Sequence, residues 1–291
     1  MFESVRARYP DLWPWIQLMR LDRPIGTLLL LWPTLWAVWV AGEGTPSARV
    51  IIVFALGVIV MRAAGCVIND YADRNLDGHV SRTKDRPLAT GALRGRDALA
   101  LFAGLLCIAL ILVLFLNPFA FYLAFGGVAL AVIYPFMKRF TFLPQLFLGA
   151  AFAWAIPMAF AAEANELPAY AWLIYIATLV WTMAYDTQYA MCDREDDLRV
   201  GIKSTAILFG DADRLMIGLL QVLALWPLWL LGRQLEFGWP WYLGLATALA
   251  LFAWQQWLIR ERNPQQCFRA FLNNQWVGAA VFAGLWLQYL L

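Results

Sequence analysis

The sequence predicts an all-α, polytopic membrane protein from its composition, the number of its apolar runs and the distribution of its charges. Of its 291 residues, 62% are apolar and 14% are charged, whereas soluble domains are about 45–50% apolar and about 25% charged. These apolar residues suffice for about nine spans of about 20 residues each. The spans must be helical, because lipid offers backbone groups no hydrogen-bond partner. The composition excludes soluble, disordered, disulfide-rich and nucleic-acid-binding proteins.

Nine apolar runs, bounded by charges or by Pro and Gly, are the predicted spans. They cover residues 25–41, 50–70, 97–115, 117–135, 142–162, 169–190, 214–231, 238–258 and 273–291. Residues 1–24 lack the continuous apolar core of a cleavable signal. With Trp13, Trp15 and Ile16 on an otherwise polar segment, we expect them to lie on the membrane surface. The whole chain, residues 1–291, is then one transmembrane domain.

The basic residues predict the orientation. Nineteen of the 22 Lys and Arg residues fall on the side of the N-terminus, and only Arg49 and Arg233 fall on the other. Since cytoplasmic loops carry the excess of basic residues, the N-terminus and the long loops should be cytoplasmic. No Arg- and Ser-rich transit segment precedes the first run, so we expect a bacterial inner membrane rather than a mitochondrial one.

Two acidic rows interrupt the apolar pattern at the inner ends of the second and sixth spans. Each row holds two aspartates four residues apart: Asp73 with Asp77, and Asp193 with Asp197. Residues at this spacing share one face of a helix, where like charges repel. Four spans separate the rows, so both should emerge on one side of the membrane. A basic stretch follows each row, from residue 81 and from residue 199.

This pattern predicts the capture of a diphosphate through Mg²⁺. Hard divalent cations take oxygen ligands, and Mg²⁺ typically combines one or two carboxylates with substrate phosphates. Carboxylates alone would repel a phosphorylated ligand, while Arg and Lys neutralise the remaining phosphate charge. A ligand that meets this site inside a membrane should have a lipid-soluble tail. Solvated loop acids are the alternative interpretation of the rows.

Three further polar residues lie in or at the ends of the apolar runs. Arg62 is inside the second span, where an Arg needs an anionic partner: either a buried acid or the carboxylate of a substrate. Tyr134 and Lys138 are four residues apart at the inner end of the fourth span. Lys138 can bind phosphate or simply extend its ammonium group to the membrane surface.

These motifs resemble the intramembrane aromatic prenyltransferases of the UbiA superfamily. The resemblance lies in N-D-x-x-D-x-x-x-D over residues 69–77, D-x-x-Y-A-x-x-D-x-x-x-D over residues 186–197, and G-I-K-S-T-A-I-L-F-G over residues 201–210. The segments over residues 21–36 and 86–91 are similar to the 4-hydroxybenzoate polyprenyltransferase branch. No motif carboxylate departs from the family pattern.

The resemblance implies nine helices around a central cavity that opens laterally to lipid and is capped by cytoplasmic loops. It implies one Mg²⁺ at Asp73 and Asp77 and another at Asp193 and Asp197. The residues that it implies for the diphosphate are Arg23, Arg82 and Lys138, with Lys203 as a further candidate. Those that it implies for the aromatic acceptor are Arg62 and Asn69, with Tyr134 and Asp186 near the reacting carbon. The candidate catalytic residues are therefore Asp193, Asp186, Tyr134 and Asn69.

The implied reaction is transfer of a polyprenyl group from polyprenyl diphosphate to the ring of 4-hydroxybenzoate. The product would be 3-polyprenyl-4-hydroxybenzoate, an intermediate of ubiquinone synthesis. The haem O, menaquinone and chlorophyll branches of the superfamily share the acidic rows and remain alternatives. A cation transporter is an alternative from another class, because acids within a membrane also mark ion pathways.

Overall fold

The computed structural model describes residues 6, 8–80 and 82–291, and every regular element in that part of the chain is helical. The helices are α1 (Trp13–Leu18), α2 (Ile25–Ala41), α3 (Ala48–Asp73), α4 (Gly95–Val113), α5 (Pro118–Met137), α6 (Pro144–Ala153), α7 (Ala155–Ala164), α8 (Ala171–Val200), α9 (Thr205–Phe209), α10 (Asp213–Gln234), α11 (Trp239–Leu258) and α12 (Pro264–Leu290). Residues 1–5 and 7 of the predicted surface segment lie outside the described residues, whereas α1 falls within that segment.

Among the described residues, six helical segments are long and apolar enough to cross a membrane. They are Ala48–Asp73, Gly95–Val113, Pro118–Met137, Pro144–Ala164, Thr205–Gln234 and Trp239–Glu261. The chain is thus a multi-pass membrane protein. The other three predicted runs are also helical: α2 has 17 residues, and α8 and α12 contain buried polar side chains, among them Gln188 and Asn274.

Side-chain caps explain where several helices begin. Ser47 accepts a hydrogen bond from the Val50 N–H before α3, and Asn117 accepts one from Ala120 before α5. Asn263 caps α12 in the same way. Each cap satisfies an N–H that has no partner within its helix. At the other end of a helix, Gly201 adopts φ 79° directly after α8, a left-handed conformation that costs glycine little.

A short break separates α6 from α7 at Trp154. Pro157 follows within the first turn of α7 and has no N–H to donate to the preceding turn, which interrupts the helical hydrogen-bond ladder. The Trp154 indole instead donates to the Leu123 carbonyl oxygen of α5 at 2.7 Å. The break therefore turns a large side chain from α6–α7 against α5.

The core of the bundle lies among α2, α7, α8, α10, α11 and α12, which share one hydrophobic cluster. The Trp36 and Trp181 rings stack there with their centroids 5.4 Å apart. Helices α11 and α12 approach closely, because a Cβ on Gly244 would lie 2.9 Å from the Ala280 carbonyl oxygen. Small residues allow such contacts between membrane helices. Helices α4 and α5 face outward instead, with 11% of the residues in their apolar windows buried.

Candidate active site

The first acidic row lies where α3 ends. Asp73 is the last residue of α3, and Asp77 begins a 3₁₀ turn, Asp77–His79, after a bend. The prediction that these two aspartates share one helix face is therefore wrong, because the helix does not continue through residues 74–76. Both side chains are buried, with 3% and 5% of their residues' surface exposed.

The second acidic row lies entirely within α8, which continues ten residues beyond the predicted end of its apolar run. Asp193 and Asp197 follow Asp186 by seven and eleven residues. At 3.6 residues per turn, both lie within about 20° of Asp186 around the helix. The predicted spacing is thus confirmed for this row, and three carboxylates share one face of α8.

The two rows meet through basic residues. Arg82, in the loop that follows the first row, donates to Asp193 of the second row with its Nε 2.9 Å from Oδ1. Lys138, at the end of α5, forms an ion pair with Asp73, and its charge also acts on Asp186 and Asp197. Both rows therefore lie at the same end of the bundle and share a site.

Burial makes two carboxylates of this site costly as anions. Burial raises the pKa of Asp77, Arg86 opposes this shift, and the carboxylates of Asp73 and Asp70 add to it. Asp197 lies beyond the apolar run of α8, and burial followed by the Asp193 carboxylate raises its pKa to about 7. Carboxylates with raised pKa values are held unfavourably as anions, and a divalent ion would relieve that cost.

The residues present fit Mg²⁺ only together with a phosphorylated ligand. The buried Oδ1 of Asp73 has no hydrogen-bond partner among the described residues, so one carboxylate oxygen is free for a ligand. In residues 8–80 and 82–291, however, no three His, Cys, Asp or Glu side chains converge as a ready-made cage. Mg²⁺ usually completes its coordination with substrate phosphate and water, which suits two separate aspartate pairs.

Arg62 lies against α2 in a space that Gly26 provides. A Cβ on Gly26 would lie 2.2 Å from Arg62 Nε and 2.6 Å from Cζ, so a larger residue at position 26 would displace the guanidinium. Arg62 donates to Cys66 Sγ at 2.5 Å, and its buried Nε has no partner within the described chain. No salt bridge joins Arg62 to an acid among the described residues, although its charge acts on the buried Asp186. A buried acid and the carboxylate of another molecule therefore stay as alternative partners, and Nε is the donor available for the latter.

A cavity of about 200 Å³ runs from Arg62 and Tyr134 into the membrane region. The Tyr134 hydroxyl donates to the Gly65 carbonyl oxygen at 3.1 Å on its wall. Its other lining residues are almost entirely apolar and come from α2 to α7. Two of them, Leu110 of α4 and Phe125 of α5, are 49% and 59% exposed. The cavity thus has one polar end and an apolar side between two outward-facing helices.

Three other residues predicted for the site lie at its border or outside the contacts described above. Lys203 donates from its backbone to the Lys138 carbonyl oxygen at 3.2 Å, and its ammonium bonds the Phe140 carbonyl oxygen at 3.3 Å, so it borders the site. Arg23 is 67% exposed and pairs with the adjacent Asp22. Asn69 is half-buried near the end of α3. The roles of these three residues stay predictions.

Several residues of the site have no distinctive signal in the sequence. Arg86 forms ion pairs with both Asp70 and Asp77 at 3.0 Å, and Arg20 pairs with Asp70 at 2.8 Å. The only sequence signal for them is a basic residue in a loop, a property that many other residues share. Tyr189 lies beneath Arg82, whose Cζ is 4.2 Å from the ring centroid, a favourable cation–π position.

Gln145 is a further residue of the site that the sequence did not indicate, and it contacts Asp186. Its side chain hydrogen-bonds to Asp186, while its Oε1 accepts from the Thr205 N–H at 3.1 Å. Gln145 lies at the start of α6 and Thr205 at the start of α9. The spacing of residues in the sequence cannot reveal such a contact, because the three residues come from separate segments of the chain.

The same architecture occurs in solved structures of other proteins. The chain superposes on the apo structure of a UbiA homolog from Aeropyrum pernix K1 with a TM-score of 0.79, at 24% identity over 89% of this chain and 96% of that one. A UbiA homolog from Archaeoglobus fulgidus, bound to GPP and Mg²⁺, matches with a TM-score of 0.71, at 18% identity over 96% of this chain and 100% of that one. At these identities the likeness concerns the fold.

Closer relatives cover the full length of the chain. It is 68% identical to a 4-hydroxybenzoate octaprenyltransferase from Alcanivorax borkumensis, over 99% of this chain and 100% of the relative. It is 60% identical to a protein of the same name from Ectopseudomonas mendocina, over 100% of this chain and 98% of the relative. Residues 30–285 match the UbiA prenyltransferase family. The chain therefore belongs to the UbiA prenyltransferase family.

Proposed function

We propose that this protein transfers a polyprenyl group from polyprenyl diphosphate to the ring of 4-hydroxybenzoate, giving 3-polyprenyl-4-hydroxybenzoate and diphosphate for ubiquinone synthesis. The observation that carries the proposal is the meeting of the two acidic rows through Arg82–Asp193 and Lys138–Asp73. The names of the full-length relatives support the choice of acceptor and specify an octaprenyl donor.

Two aspartate pairs would hold Mg²⁺ in this proposal: Asp73 with Asp77, and Asp193 with Asp197. The bound metal supplies Lewis-acid stabilisation of the negative charge that develops on the departing diphosphate. Lys138 and Arg82 already lie at the aspartates, so they can bind phosphate oxygens when the ligand enters. Arg23 and Lys203 are the further candidates for the diphosphate.

The acceptor would lie at the polar end of the cavity. Arg62 binds its carboxylate through Nε, which has no hydrogen-bond partner among the described residues, and Asn69, two helical turns further along α3, completes that pocket. The allylic C–O bond breaks, and the ring carbon beside the hydroxyl attacks the allylic cation. Asp186, held by Gln145, and Tyr134 lie near the reacting carbon, where the ring proton leaves and aromaticity returns.

The apolar wall of the cavity serves two purposes in this reaction. It accommodates the prenyl tail, and it keeps out water, which would quench the cation. The exposed Leu110 and Phe125 support an opening to lipid between α4 and α5, so that a long tail can extend into the bilayer. Aromatic side chains near the site, such as Tyr189, can shield the cation.

The topology that we propose has nine spans, with α2, α8 and α12 crossing the membrane in addition to the six most apolar segments. The N-terminus and the active site face the cytoplasm of a bacterial cell, in its inner membrane. The grouping of the basic loops at the end of the bundle that carries Asp73 and Asp193 supports this orientation. The N-terminal segment, described from residue 8 to residue 24, lies on the membrane surface in this proposal, and the chain forms one domain.

The test uses membranes that contain the protein, 4-hydroxybenzoate and a prenyl diphosphate, with Mg²⁺ or with excess chelator, and detects product by mass spectrometry. We expect the prenylated acid only with Mg²⁺. Product from another aromatic acceptor alone would assign the chain to a different branch of the superfamily. Cation flux in proteoliposomes without any product would refute the enzyme and favour a transporter.

A further inference from the structure

A cluster of buried amide side chains joins four helices on the side of α8 that faces away from the aspartates. We define this amide cluster as Gln188 of α8, Gln221 of α10, Gln255 of α11, and Asn273 and Asn274 of α12. Gln188, Gln221, Gln255 and Asn274 are each at most 2% exposed. Amides inside a membrane protein are costly unless they bond to one another.

The hydrogen bonds of the cluster are specific. Gln255 Oε1 accepts from Gln188 at 3.0 Å and from Gln221 at 2.8 Å, and Gln255 Nε2 donates to Asn273 at 3.0 Å. Asn274 Nδ2 donates to Gln188 Oε1 at 2.9 Å. Gln188 therefore uses both ends of its amide, and each end is fixed by a different helix. Such a side chain resists both rotation and axial sliding of α8.

A second contact adds to this restraint. The Trp181 indole of α8 donates to Asn274 Oδ1 at 2.9 Å. Trp181 and Gln188 are seven residues apart, so they share one face of the helix, about 140–160° from Asp186. The opposite face carries Asp186, Asp193 and Asp197. Fixing the back of α8 at two successive points therefore determines where its three carboxylates lie.

We propose that Gln188 is a positioning residue for the second aspartate pair. Held by Gln255 and Asn274, it sets the rotation of α8 so that Asp193 and Asp197 face the first row. It touches no substrate and acts only through the helix. The inference rests on the proposed function, because it assumes that these aspartates bind a metal together with a diphosphate.

The test measures Mn²⁺ binding rather than turnover. Purified full-length protein is titrated with Mn²⁺ in the presence of geranyl S-thiolodiphosphate, an unreactive donor analogue, and free Mn²⁺ is followed by electron paramagnetic resonance. Gln188→Met keeps the side-chain length without the amide. Gln221→Met is the matched control, because Gln221 lies in the same cluster but bonds α11 rather than α8.

We expect Gln188→Met to weaken Mn²⁺ binding about tenfold, the lower end of the loss seen when a group that orients metal ligands is removed. Gln221→Met should change Mn²⁺ binding less than about twofold. The KM for 4-hydroxybenzoate should stay unchanged in both. Equal loss in both variants, or none in Gln188→Met, would overturn the inference while leaving the function intact. If the wild-type chain binds no Mn²⁺, both proposals fail. Should Gln188→Met not fold, Asn274→Leu removes the amide that bonds both Gln188 and Trp181 and leaves those two side chains in place, and unaltered Mn²⁺ binding there would refute the inference.

Discussion

Replacing Gly26 by alanine tests whether Arg62 binds the acceptor. The new methyl group would lie 2.2 Å from Arg62 Nε, 2.4 Å from Nη2 and 2.6 Å from Cζ, all far inside an ordinary contact of about 3.5 Å. The guanidinium must therefore move by about 1.3 Å. Such a movement breaks the contact between its Nη1 and Cys66 and shifts the guanidinium toward the cavity that Arg62 lines.

The size of the effect follows from the cost of overpacking. Forcing a methyl group into a filled space costs about 1–3 kcal/mol, and 1.4 kcal/mol is a factor of ten in an equilibrium constant. If the displaced Arg62 binds the acceptor carboxylate, the KM for 4-hydroxybenzoate should rise about 5- to 150-fold. Stability should change less, because alanine in a helix is favoured over glycine by about 0.5–1 kcal/mol.

The assay is steady-state prenylation in detergent or nanodiscs, with 4-hydroxybenzoate and the prenyl diphosphate varied separately. The matched control is Gly57→Ala, which lies on the cavity wall five residues before Arg62 and whose new methyl group meets nothing within 4 Å. We expect the acceptor KM to rise in Gly26→Ala alone and the donor KM to stay constant. An unchanged acceptor KM in Gly26→Ala would refute the assignment of Arg62 to the acceptor.

Three further predictions concern the acids and the packing. Asp73→Ala or Asp193→Ala should reduce turnover by about 10³-fold or more. The variant should still insert into the membrane and elute as a folded species in size-exclusion chromatography. Full activity in either variant would contradict the metal hypothesis. Asp186→Asn should lower kcat and leave the KM of both substrates near wild type, if it acts at the reacting carbon; a raised acceptor KM with normal kcat would instead indicate a binding role. Gly244→Val should lower the melting temperature, because its Cβ would lie 2.9 Å from the Ala280 carbonyl oxygen. Overpacking of this kind costs about 1–3 kcal/mol. An unaltered melting temperature would show that α11 and α12 can move apart at this position.

Periodicity and composition predicted much of the fold, but the helix ends required the structure. The predicted sixth run stopped at residue 190, whereas α8 continues to Val200, because a helix does not have to end where apolar residues do. In the first acidic row, the helix ends earlier than the spacing of the aspartates predicts. Asp73 and Asp77 have helical spacing, yet the chain bends between them, and the spacing alone contains no signal for that bend.

The candidate site divides in the same way. The acidic rows were visible because carboxylates are rare in apolar surroundings, and Arg62 was conspicuous for the same reason. Arg86, Arg20 and Gln145 were not, because each is an ordinary residue of a loop or a helix start until its partner is known. Their partners, Asp70, Asp77 and Asp186, are reached only when separate segments of the chain pack together.

The amino-acid sequence by itself determined that this chain lies in a membrane, where its polar residues gather, and which chemistry those residue types can perform. Each of these properties depends on local composition and on the spacing of residues. Composition determines whether a segment is more stable in lipid or in water, and spacing determines which residues share a helix face. Only the tertiary structure decided which cation meets which carboxylate, that Gly26 makes room for Arg62, and that amides on four helices meet behind α8. These contacts join residues far apart in the chain, and their energies depend on distances that packing alone sets.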